Sequence, residues 1–175
     1  AVGKLHCSNY LRSMNIAFEA KRVFNSGTGL GHYSRTLITS LANNFPEHTY
    51  YLFTPRTSAM FSTNAFTNMH TVTPTHWLHK QFKSAWRSSW VKADLRKYNV
   101  ELYHGLSHEI PIGIHNTGIK SVVTMHDIIH ERYREQYNPI DVRIYRSKFK
   151  YACKYANTVI AISEQTKNDL ITWYK

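Results

Sequence analysis

The sequence predicts an α/β fold, with one parallel sheet carrying helices on both faces, and three features lead to that expectation. Short apolar runs alternate along the chain with longer stretches in which apolar residues recur at helical spacing. Runs such as SVVTM are apolar at successive positions, as strands buried on both faces must be. Glycines and polar residues gather just after the runs, where parallel sheets bind their ligands.

The composition agrees. The chain has 175 residues, 42% of them hydrophobic, which suits one domain with a self-sufficient core and excludes a disordered chain. No apolar run approaches the roughly 18 residues needed to cross a bilayer. Cys7 and Cys153 lie far apart and form no paired metal-ligand spacing, so a reduced, cytoplasmic setting is expected. With 22 Lys+Arg against 11 Asp+Glu the formal charge is +11, which suits nucleic acid, an anionic membrane surface or phosphate-bearing small ligands.

Residues 1–13 show no strand or helix periodicity and read as a leader or cloning-derived segment, ahead of a domain at 14–175. Residues 14–20 read as the first strand, and a glycine-rich turn at 25–31 feeds a helix with Leu30, Tyr33, Leu37, Leu41 and Phe45 on one face. Residues 49–53 read as the second strand, 54–70 as a loop and 71–73 as a short third strand. Residues 75–98 read as helical, with a bend near Ser88-Ser89, because the apolar face moves from Leu78, Phe82 and Trp86 to Val91, Leu95 and Tyr98. Strands follow at 101–104 and 121–126, a helix at 141–156, a strand at 158–163 and a last helix from 164 to 174. About six or seven strands in one sheet are expected.

The strand ends supply the candidate site. Gly27, Gly29 and Gly31 follow the first strand, where glycines permit positive φ and backbone amides at a helix start can meet an anion. A tight connection without a ligand accounts for them equally well. The spacing is neither the dinucleotide fingerprint nor a P-loop. His104 ends the middle strand, His126-Asp127 the next and Ser163 the last. A histidine at such an end reads as a hydrogen-bonding or acid/base group in a cleft, the alternative being a packed histidine. His126 and His130 have a zinc-like i, i+4 spacing, but a third ligand is missing and no metal site is assigned. Residues 77–98 interleave aromatics with Lys80, Lys83 and Arg87, as either a core-packed helix with a solvated basic face or a patch meeting anionic lipid or a phosphate-bearing acceptor.

In order and spacing these motifs resemble the N-terminal half of family-4 retaining glycosyltransferases, which have the two-domain GT-B architecture. Glu19-Ala20-Lys21-Arg22 is similar to the family's D-A-R element, and Gly29-Leu30-Gly31-His32-Tyr33 to its G-[IL]-G-R-Y. Glu101-Leu102-Tyr103-His104 resembles D-x-x-H, Thr124-Met125-His126-Asp127 resembles T-x-H-D, and 163–170 resembles S-E-x-[ST]-K-x-D-L. Glu19, His32 and Glu101 depart from the usual Asp, Arg and Asp. The Glu101 and Glu109 pair matches the family's Glu-x7-Glu spacing, but it sits in the wrong half and reads as coincidence.

The resemblance implies a Rossmann-like acceptor-binding domain, with a C-terminal donor-binding domain outside this chain, so that the chain alone would be an inactive fragment. It implies transfer of a sugar, mannose among the candidates, from a nucleotide diphosphate sugar to a glycan or lipid-linked acceptor in polysaccharide biosynthesis. It implies catalytic roles for His126 and Asp127, and substrate or phosphate binding by Arg22, Gly29, Leu30, Gly31, His104, Ser163 and Thr166. Neither a metal, another cofactor nor nucleic acid takes part on this reading, and helix 77–98 would touch the inner membrane face. The competing readings are a basic module for nucleic acid or an anionic membrane surface, and a histidine-based metal hydrolase.

Overall fold

In the computed structural model, which describes residues 12–174, six parallel strands form one sheet. In chain order they are β1 (Asn15–Glu19), β2 (Thr49–Phe53), β3 (Met69–Val72), β4 (Leu102–Gly105), β5 (Lys120–Met125) and β6 (Thr158–Ala161). Their order across the sheet is β3-β2-β1-β4-β5-β6. The chain therefore moves outward from β1 to one edge and returns to build the other half. That reversal opens a crevice beyond the carboxyl ends of β1 and β4, where doubly wound sheets bind ligands. β1 holds the centre, with Ile16 paired to Tyr50 on one side and to Leu102 on the other. Residues 1–11 of the expected leader lie outside the described residues; Arg12 forms an ion pair with Glu101 at 2.8 Å.

The helices are α1 (Lys21–Asn25), α2 (Gly29–Asn44), α3 (Trp77–Gln81), α4 (Lys83–Ala85), α5 (Val91–Lys97), α6 (Ile129–Arg132), α7 (Pro139–Tyr155) and α8 (Glu164–Tyr174). Strand parity divides the core between two layers. Phe18, Tyr50, Leu52 and Met69 face Val23 and Phe24 of α1 and Ile38 and Ala42 of α2. Ala17, Phe53, Tyr103, Val123 and Met125 point the other way, onto Leu95 of α5, Phe149 of α7 and Leu170 of α8. Helices cover both faces, as the sequence pattern requires.

The boundaries differ in instructive ways. The third strand lies at Met69–Val72 rather than 71–73, because Tyr50 pairs with Met69 and carries the ladder into the expected loop. The last strand stops at Ala161, and residues 162–163 turn toward α8. The helical stretch 75–98 is four pieces. It breaks at Phe82, which leaves α geometry and stands exposed, and a π-helical turn at Trp86–Trp90 joins α4 to α5. The wider turn rotates the following residues, which is the physical reason the apolar face shifts at Ser88-Ser89. Trp86 is fully buried, with its indole N–H donating to Asp94 at 2.7 Å. The turns at 129–136 carry no periodicity long enough to read beforehand.

Candidate functional site

The glycine-rich connection works by close approach rather than by unusual dihedrals. None of Gly27, Gly29 and Gly31 has a positive φ, so the turn leaves that freedom of glycine unused. Gly31 is required because a Cβ there would stand 2.0 Å from the Ser26 carbonyl oxygen. Gly29 meets nothing within 4 Å and opens toward solvent. The Thr28 hydroxyl bonds Ser26 Oγ at 2.8 Å and does not cap α2, so no side chain covers the first amides of this 16-residue helix. Those uncovered amides sit at the positive end of its dipole.

One turn further on, Tyr33 carries α2 to the strand ends. Its ring meets the His126 ring edge-on at 4.8 Å, and its hydroxyl lies 3.3 Å from Thr124 Oγ1. The glycine turn and His126 therefore share one rim of the sheet. His126 is 9% exposed, and its Nε2 lies 2.9 Å from the Leu106 carbonyl. A carbonyl only accepts, so Nε2 carries the proton. Nδ1 has no partner among the described residues and is not sealed from solvent. It is the free face of the imidazole. Asp127 is exposed, and one of its carboxylate oxygens accepts the Ile129 amide at 3.4 Å.

His104 lies deeper, with Nε2 2.8 Å from Thr124 Oγ1 and the ring against Phe18. Burial pulls its pKa down to about 4, which keeps it neutral. His108 joins it in a left-handed conformation (φ 64°), and its Nε2 accepts the His126 amide at 2.9 Å. Burial first, then the neighbouring His126, bring His108 to about 4 as well. Ser163 and Thr166 act from behind. Ser163 Oγ accepts the Thr166 amide at 3.0 Å, and the Thr166 hydroxyl donates to the His126 carbonyl at 3.0 Å. Both hydroxyls are thus committed to holding the start of α8 and the backbone of His126.

A second constellation lies at the end of β1. Glu19 is 3% exposed and accepts from Arg87 Nε at 2.9 Å, and the same guanidinium also pairs with Glu109, which Lys148 approaches too. Gly105 permits this, since a Cβ there would stand 2.0 Å from the Glu109 carbonyl oxygen and block the returning loop. Two adjoining cavities of about 130 and 140 Å³ open around these groups. Arg22 lines the second, with Lys21 beside it.

The profile of glycosyltransferase family 4 matches residues 27–175. The chain belongs to glycosyltransferase family 4. No curated protein matches it. Among solved structures it is similar to an alpha-glucosyltransferase in complex with UDP and a 13-mer DNA containing an HMU base, at 15% identity and a TM-score of 0.40. The likeness covers 85% of this chain but 38% of that one, so the chain spans well under half of that protein's length.

Of the residues picked out in the sequence of this family-4 domain, His104, His126, Ser163 and Thr166 gather around the Tyr33–Thr124 contact or brace it, Gly29, Leu30 and Gly31 form the start of the helix that carries Tyr33, and Arg22 lines the neighbouring cleft. His130 diverges from His126: its Nε2 lies 3.2 Å from the Tyr174 hydroxyl, and its ring packs on Phe149. Among the described residues no group of three His, Cys, Asp or Glu converges on one point. No helix there is long and apolar enough to cross a membrane. The sequence reading missed His108, which has no motif of its own. It also missed the Glu19–Arg87–Glu109–Lys148 cluster, whose one available signal was a glutamate at the end of an apolar strand.

Proposed function

We propose that this family-4 domain is the acceptor side of a retaining glycosyltransferase. The enzyme would transfer a sugar, with mannose a candidate, from a nucleotide diphosphate sugar to a glycan or lipid-linked acceptor during cell-surface polysaccharide synthesis. A donor-binding half, C-terminal by the family resemblance, would supply most of the nucleotide contacts. The observation that carries this reading is His126, with one ring nitrogen fixed on the Leu106 carbonyl and its ring against Tyr33, one turn into the helix whose first amides no side chain caps.

On this reading the amides of Gly29 and Leu30 face the donor diphosphate, where the helix dipole favours negative charge. His126 Nδ1 hydrogen-bonds a hydroxyl of the transferred sugar as the glycosidic bond breaks. The leaving phosphate takes the acceptor proton on the same face, which retains configuration. Charge on the phosphates is met by helix amides and cations, so neither a metal nor another cofactor enters the scheme. His104 acts through Thr124 and Tyr33, Thr166 holds the His126 backbone, and exposed Asp127 borders the acceptor entrance.

The test is His126→Ala in the intact enzyme, followed by nucleoside diphosphate release. Losing a preorganised partner of this kind costs about 10²-fold in rate, so kcat/KM should fall at least tenfold. Because His126 is buried and bonded to Leu106, a modest drop in melting temperature accompanies the loss. Unchanged turnover per folded molecule would remove His126 from the site.

A second reading concerns location. Trp77 is 65% exposed, and Phe82 and Trp90 stand out with it beside exposed Lys80 and Lys83. Aromatics mixed with lysines suit peripheral contact with the anionic cytoplasmic face of a membrane. Co-sedimentation with phosphatidylglycerol vesicles, lost in Trp77→Ala/Phe82→Ala, is the expected result; equal sedimentation of that variant would count against it.

A further inference from the structure

The cleft of about 140 Å³ between α1, α7 and the loop after β4 holds more positive charge than its own carboxylates can use. Lys21, Arg22, Arg87 and Lys148 line it against Glu19 and Glu109. Both carboxylates are already taken by Arg87, and Glu109 by Lys148 as well. Among the described residues neither Lys21 nor Arg22 has a carboxylate within ion-pair distance.

The remaining polar groups are donors in search of an acceptor. Ser107 Oγ is buried, lines this cleft and has no hydrogen-bond partner. His108 uses Nε2 to accept the His126 amide, so the neutral ring carries its proton on Nδ1. A buried hydroxyl without a partner is costly unless something else meets it. The adjoining cavity of about 130 Å³ shares the charged cluster but is walled by Tyr103, Ile110, Ile112 and Tyr151.

We infer that this cleft is an anion subsite of the acceptor, in which Lys21, Arg22 and Ser107 take a phosphoryl or carboxylate group while the neighbouring cavity takes the less polar part of the molecule. The inference rests on the glycosyltransferase reading for the word acceptor, but the anion site itself does not. Partial loss of solvent in the cleft, followed by the nearby Arg87, holds the Lys21 and Lys148 ammonium groups below the usual lysine range, as expected where cations are crowded without enough counter-charge.

The experiment titrates the full 175-residue chain at low ionic strength with glucose 1-phosphate, glucuronate and unmodified glucose, and adds phosphatidic acid vesicles as a separate arm. Glucose 1-phosphate or glucuronate should bind where glucose does not. Lys21→Gln/Arg22→Gln should weaken that binding at least tenfold, and Ser107→Ala should weaken it severalfold, because hydrogen bonds to charged groups are the strong ones. Lys21 and Arg22 are both exposed, so circular dichroism should show the double variant folded. Vesicle binding that depends on the same two cations would support the subsite and assign its anion to a lipid-linked acceptor. Equal binding of glucose and glucose 1-phosphate, or unchanged affinity in the double variant, would overturn it. Donor turnover is measured separately in the intact enzyme, so anion binding by the chain with no sugar transfer by the intact enzyme would sink the transferase reading and leave the subsite standing.

Discussion

Two alanine substitutions two residues apart should act in opposite directions. At Gly31 an added Cβ would lie 2.0 Å from the Ser26 carbonyl oxygen, 2.8 Å from its carbon and 3.1 Å from Arg35 Nη1. The obstacle is backbone, so α2 must move outward. That movement also pulls on Arg35 Nη1, which donates to both the Val23 and Ser26 carbonyls at 2.9 Å. Overpacking costs about 1–3 kcal/mol, and a strained charged hydrogen bond adds about 1 kcal/mol more. The better helix propensity of alanine offsets less than about 1 kcal/mol. Gly31→Ala should therefore destabilise by about 3 kcal/mol, or roughly 6–12 °C in Tm for a chain of this size. Gly29→Ala meets open space and should instead stabilise by about 0.5 kcal/mol, yet lower kcat/KM by crowding the amides assigned to the diphosphate. Urea unfolding of both variants beside wild type, paired with turnover in the intact enzyme, reads all of this. A Gly31→Ala protein as stable as wild type would refute the packing of α2 on Ser26.

Glu131 is 3% exposed and held by Arg134, Arg146 and Tyr174; the hydrogen bond from Arg146 first, with those from Tyr174 and Arg134, lowers its pKa to about 2 against the cost of burial. A depressed carboxylate contributes its stability above its unfolded pKa and loses it as pH falls, so an acid melt between about pH 4.5 and 2 should flatten in Glu131→Gln. His104 and His108, both lowered to about 4 by burial, charge more readily when unfolded, so stability should fall as pH drops from 6.5 toward 4, and His104→Gln should reduce that slope in a Tm–pH series. Arg87→Ala leaves Glu19 buried without its partner and should cost about 3 kcal/mol; adding Glu19→Gln should recover part of it, and strictly additive losses in the double-mutant cycle would deny the pairing.

What was legible in the sequence is what backbone periodicity encodes. The runs MNIAFEA, TYYLF and SVVTM mark buried strands, and their ends name the rim residues directly, because a strand end is a chain position. Pairings between distant positions leave no such trace. Thr166 reaches His126 across 40 residues, and Lys148 reaches Glu109 across 39. His104 shows the limit of reading a strand end. Its position on the rim is correct, but strand parity sends its ring inward to Thr124 and Phe18, and period-two arithmetic alone does not say which parity faces the cleft.

Arg87 shows how one local irregularity connects the fold with the site. On an uninterrupted helix it belongs to the solvated basic stripe of Lys80 and Lys83. The π-helical turn at Trp86–Trp90 changes that outcome, since a wider turn advances each following side chain less far round the axis. Trp86 goes fully into the core, and Arg87 swings to Glu19 and Glu109. The same turn directs the Ser88 carbonyl to the Ile112 amide at 2.7 Å, which fixes the loop after β4 against it. That loop carries both Glu109 and the unpartnered Ser107. The irregularity that breaks the helical pattern is thus also what neutralises the buried Glu19 and the half-buried Glu109, and it thereby leaves Lys21 and Arg22 available for an anion from outside.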